Sequence, residues 1–181
     1  EDVPRFAALG ATANIQALWA CHEEQLDTLT LPFLTDGADQ HHYPFGDLAA
    51  VGAGLAAGSD WPVSSADPLQ AIHVAVNRVS ADGERPPLGD PRQKLTLTQA
   101  LNAYTQGTAR INHLDQVTGW LRPGYFADLA ILDRGRAGVS ALALYSSVTA
   151  RTAFRSASSV SRTRRRSTLP MSDLGSSSQT R

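Results

Sequence analysis

Sulfur is scarce in this sequence. Its one cysteine, Cys21, excludes an internal disulfide and any zinc site built from several cysteines. A lone thiol is compatible with a reducing compartment, and the cytoplasm is the expected location. No apolar run approaches the ~20 residues that a membrane-spanning helix requires, so no membrane partner is expected. The first residues lack the basic start and apolar centre of a secretory signal. The only methionine is Met171 and the first residue is Glu1, which together suggest a fragment. Acidic residues nearly vanish from one end: residues 136–181 carry 8 arginines and only Asp173, whereas residues 1–135 carry 16 acidic against 8 basic side chains. So sharp a change in charge argues that the two stretches do not share one fold.

Apolar residues make up 42% of the chain, enough for a core. Asp2 reads as the cap of a first helix that ends at Gly10, with Val3, Phe6 and Leu9 facing inward. Residues 12–18 alternate, Ala13, Ile15 and Ala17 against Thr12, Asn14 and Gln16, as a strand does. A polar loop reaches Tyr43, and residues 45–52 read as a short helix. Val51 to Ala57 is a continuous small apolar run, the pattern of a buried parallel strand. Asp67-Pro68 caps the next helix, with Leu69, Ile72, Val76 and Val79 at helical spacing. Thr96 or Thr98 starts another, whose stripe is Leu97, Leu101, Tyr104, Thr108 and Ile111. Two β-like runs, 119–121 and 127–132, flank the turn Arg122-Pro123-Gly124. The order predicts an α/β fold, with strands near 12–17 and 53–58 parallel and adjacent. From residue 136 onward, 12 of 46 residues are serine and no period survives. That composition predicts a disordered Ser/Arg-rich tail, with residues 141–148 as a possible short helix. The abrupt switch after Asp133-Arg134 resembles a change of reading frame.

The chemistry-bearing stretch is the buried strand that ends in Gly58-Ser59-Asp60-Trp61-Pro62-Val63. In parallel α/β barrels, catalytic groups stand at the C-terminal ends of strands. A carboxylate there can hold a divalent metal and accept a proton from water. It can equally cap a turn, and the residues alone leave both readings open.

The run from Tyr43-Pro44-Phe45 through Gly58-Ser59-Asp60-Trp61-Pro62-Val63 and Asp67-Pro68-Leu69 resembles amidohydrolase family 3, a branch of the metal-dependent amidohydrolase superfamily. Ala75-Val76-Asn77-Arg78, Ala103-Tyr104-Thr105, Pro123-Gly124 and Ala127-Asp128-Leu129 continue the resemblance, which covers roughly residues 1–135. It implies the C-terminal part of a TIM-like (β/α)8 barrel over residues 1–113 and a remnant of a composite β-sandwich over 114–135. Residues 136–181 stand outside it as the tail. It also implies that Asp60 is a metal ligand and catalytic proton acceptor, with zinc the expected metal. The family's other ligands, a His-x-His pair, a mid-barrel lysine or carboxylate and further histidines, have no counterpart here. A full barrel takes about 250 residues.

The local histidines do not fill that gap. His41 and His42 are adjacent, so on a strand they would face opposite ways. His73 lies beside an apolar stripe, His113 ends a helix, and His22 sits among acidic neighbours and reads as solvated. Trp61 and Gln16 are candidate substrate contacts. The resulting expectation is a metal-dependent hydrolase of amide-type, non-peptide carbon–nitrogen bonds in a full-length parent. Its substrate is a small molecule, and this chain alone is an inactive fragment. The alternative is polyanion or nucleic-acid binding through Arg162-Thr163-Arg164-Arg165-Arg166. An acidic body and the lack of aromatic residues beyond Arg155 argue against a nucleic-acid partner.

Overall fold

A computed structural model of the chain describes residues 2–130. Two strands form its sheet, β1 (Thr12–Ile15) and β2 (Gly54–Ala57). They are parallel, with Thr12 opposite Gly54 and Ile15 opposite Ala57, as the sequence pattern predicts. The helices are α1 (Val3–Ala8), α2 (Glu24–Leu29), α3 (Phe45–Ala50), α4 (Pro68–Asn77), α5 (Leu97–Asn102) and α6 (Thr108–Ile111). Between α5 and α6 the helix widens into a π-type turn, Ala103–Gly107.

The alternation in β1 divides its side chains as expected. Ile15 and Ala57 are buried, and with Ala13 and Leu55 they pack on the core formed with Phe45, Ile72, Val74 and Leu95. Asn14 is exposed on the other face. There a Cβ on Gly54 would lie 2.7 Å from Thr12 Oγ1, so that stripe of β2 has little room for a side chain.

Helix α4 begins where Asp67-Pro68 places it. The Asp67 carboxylate accepts from the Leu69 amide at 2.9 Å, satisfying one of the amides left free at a helix start. Residues 71–75 are all buried, a wider band than the predicted stripe, because α4 packs on both α5 and the turn 17–19. Thr96 starts α5 with a reciprocal capping box: its Oγ1 accepts from Gln99 N at 3.2 Å and its own amide donates to Gln99 Oε1 at 2.8 Å.

Several expectations need correction. Asp2 does not cap α1; its carboxylate pairs with Arg5 at 2.7 Å instead. Leu9 is 73% exposed, since α1 buries no residue fully. The stripe on the fourth predicted helix fails at Ile111, which is exposed. The extra residue carried by the π-type turn rotates the next helix, and the buried face is built from Ala100, Ala103 and Ala109. Residues 114–130 contain turns but no strand, so the β-like runs 119–121 and 127–130 are unpaired among the described residues. A strand needs a ladder partner, and these have none there. Residues 131 and 132, the tail from 136 and the helix expected at 141–148 lie outside the described residues.

Candidate functional site

Both strands point their C-terminal ends the same way, so the loops that leave them emerge at one end of the sheet. Gln16 is the first residue past β1 and is half-buried. Asp60 comes three residues past Ala57 and is exposed, with φ +54°. Such a backbone angle is tolerated by aspartate better than by most residues. The turn is tied internally. Trp61 N donates to Ser59 Oγ at 3.2 Å, Val63 N donates to Asp60 O at 2.9 Å, and the Ser64 hydroxyl donates to Ser59 O. The indole of Trp61 is 69% exposed beside it. The Asp60 carboxylate has no hydrogen bond or ion pair among the described residues.

That free carboxylate has the chemistry of one metal ligand, but one is too few. Among the described residues no three His, Cys, Asp or Glu side chains cluster closely enough to hold an ion. Each histidine is otherwise placed. His22 is not solvated as expected. Its Nδ1 lies 2.6 Å from Asp27 Oδ1, and Asp27 Oδ2 accepts from Arg85 at 2.7 Å. Asp27 sits on α2, five residues on, where that helix brings it back toward His22. His41 ends the short turn 38–41. His42 stacks edge-on against Tyr43, and His113 lies just past the end of α6. His73 is buried, with Nδ1 3.3 Å from Asn77 Nδ2.

A cavity of about 390 Å³ lies alongside α4, lined by Leu18 and Cys21 after β1, Ser65 after β2, Gln70 and Val74 of α4, and Ser80 and Arg85 in the loop after it; Asp60, Trp61 and Gln16 do not line it. Burial, with the nearby Glu23 carboxylate, pushes the Cys21 thiol up to about 11. The thiol donates to Leu18 O at 3.5 Å. Its thiolate population at pH 8 is therefore roughly 100-fold below that of an ordinary cysteine, and Cys21 is expected to react with a disulfide reagent only after unfolding. Rapid labelling of the native chain would contradict this placement.

Arg78 is the residue whose importance the sequence concealed. It ends α4 with φ +63° and is fully buried. Its guanidinium donates to Leu88 O at 3.2 Å, Tyr43 O at 3.1 Å and His42 O at 2.7 Å, and among the described residues no carboxylate accepts from it. The rings of Tyr43 and Phe45 lie 5.9 and 5.6 Å from its central carbon. Burial lowers its pKa to about 10. It thereby joins the segment before α3 to the loop after α4.

Two adjacent parallel strands, with an unpartnered carboxylate three residues past the end of one of them, define an α/β protein. The chain belongs to the amidohydrolase family, whose model matches residues 1–157. It is 35% identical over 132 residues to the Arabidopsis thaliana protein LONG AFTER FAR-RED 3, covering 71% of this chain and 21% of that one. It is 31% identical over 105 residues to YtcJ, a candidate amidohydrolase of Bacillus subtilis (strain 168), covering 56% of this chain and 20% of YtcJ. Among solved structures it resembles an uncharacterized metal-dependent hydrolase from Pyrococcus horikoshii OT3. The TM-score is 0.59 at 27% identity, covering 77% of this chain and 28% of that one. The chain thus spans about a fifth of the length of the curated relatives it matches.

Proposed function

We propose that this chain is the part of a TIM-barrel-like, metal-dependent hydrolase that carries a catalytic carboxylate, and that the whole enzyme cleaves amide-type, non-peptide carbon–nitrogen bonds. The observation that carries this reading is the unpartnered Asp60 carboxylate just beyond the C-terminal end of a parallel strand. In the whole protein Asp60 accepts the proton of the attacking water, and Gln16 and Trp61 contact a small substrate lying over the strand ends. A divalent metal, zinc by expectation, supplies positive charge that makes water acidic near neutral pH. The described residues offer it one ligand where catalytic zinc usually has about three, so the isolated chain is expected to be inactive.

Two experiments test this. In zinc calorimetry the 181-residue chain is expected to bind weakly and without defined stoichiometry; tight one-to-one binding would mean that the chain holds a complete site of its own. The function itself is tested by exchanging this segment for the matching 105 residues of YtcJ and assaying N-acyl amides and cyclic amides with and without a chelator. Turnover that the chelator abolishes supports the reading. Turnover indifferent to it refutes metal dependence.

A further inference from the structure

Asp60 stands on a turn with few outside anchors, and the helix from α5 to α6 supplies several of them. Residues of a parallel strand alternate in the neighbour their backbone faces. Gly58 N donates to Ile15 O at 3.1 Å, which directs the groups of residues 54 and 56, and the amide of Gly58, toward β1. The carbonyls of Leu55 and Ala57 then face the other way, and the π-type turn meets both. Thr108 Oγ1 lies 2.9 Å from Ala57 O and 3.0 Å from Ala103 O. At Gly107 a Cβ would lie 2.0 Å from Leu55 O, so only glycine permits this approach. One residue further along the chain from Ala57, the Tyr104 hydroxyl donates to Gly58 O at 3.4 Å. Burial raises that phenol to about 12, keeping it a protonated donor.

We propose that Tyr104 and Thr108 are positioning residues for the Asp60 turn: their hydroxyls hold the carbonyls of Gly58 and Ala57 and so fix where the chain leaves the sheet to present Asp60. Neither side chain reaches the reacting atoms; both act through the backbone of β2 and its exit. This deepens the hydrolase reading and rests on it, but the geometry can be tested without activity. The widened turn is the means: it places Thr108 where an undistorted helix would not.

The experiment is amide hydrogen exchange by NMR on the full chain, comparing Thr108→Val, Thr108→Ser and Tyr104→Phe with the native protein. Loss of one such hydrogen bond is expected to speed exchange at Gly58, Trp61 and Val63 roughly two- to tenfold, with Val74 in α4 unchanged. Thr108→Ser, which keeps the hydroxyl, should restore native exchange. If Thr108→Val does not fold, Tyr104→Phe removes a single oxygen and carries the same comparison. The proposal is overturned if exchange at Gly58, Trp61 and Val63 is unchanged, or if Val74 accelerates equally, because the residues would then serve general stability. In the YtcJ exchange protein the same variants should lower kcat more than they raise KM. Turnover there that is indifferent to a chelator would refute the metal-dependent reading while leaving the hydrogen-exchange result standing.

Discussion

Asp60→Ala in the YtcJ exchange protein is expected to lower kcat by about 10²–10⁴ through loss of the proton acceptor. Asp60→Asn should fall nearly as far, since an amide keeps the shape but is a poor base. The argument is positional. The carboxylate is exposed, makes no bond among the described residues and projects from a turn that the protein fixes at the end of β2. Asp60→Asn, which tolerates the same positive φ, should therefore leave the melting temperature of the 181-residue chain close to native. A variant that kept its rate would assign proton transfer to another group. A variant that unfolded the chain would make Asp60 a turn cap, the alternative that its residue type also allows.

The reverse profile is expected at Arg78. Arg78→Met retains length and apolar volume but deletes every donor, stranding the carbonyls of His42, Tyr43 and Leu88. Hydrogen bonds to charged donors contribute about 1.5–3 kcal/mol each, offset here by relief from burying an unpaired charge. A net loss of about 3 kcal/mol is expected, a large part of the roughly 5–15 kcal/mol that holds a domain together. Arg78→Lys keeps the charge but lacks the planar fork that spans three acceptors, and should fall between. Urea melts measure both. A methionine variant as stable as the native chain would mean that desolvation of the guanidinium cancels all three bonds.

Features are legible in the sequence to the extent that their causes are local. The pairing of β1 with β2 is legible because Ala13 and Ile15 alternate with polar neighbours while residues 53–57 are apolar throughout. The start of α4 is legible because Asp67 and Pro68 act within three residues of themselves, and the same holds for Thr96 and Gln99. Asp60 is singled out by the glycine and serine before it, together with its family resemblance. Arg78 stands in one of the family-like runs, but its bridging role is not legible, because its acceptors lie 10, 35 and 36 residues away in sequence. The partnership of His22 with Asp27 is hidden because acidic neighbours are more often a sign of solvent. The β-like runs near 119 and 127 carry the right composition, but composition alone cannot provide a ladder partner.

The widened turn at Ala103–Gly107 also sets a phase. Each α-helical residue advances the next by about 100°, so the turn determines which way everything after it faces. Deleting Thr105, which is exposed, would let the segment relax to an ordinary helix and swing Thr108 round by about that angle, off the Ala57 carbonyl. No side chain at the strand end would have changed. The length of this helix is therefore expected to be held more tightly than the residue type at Thr105.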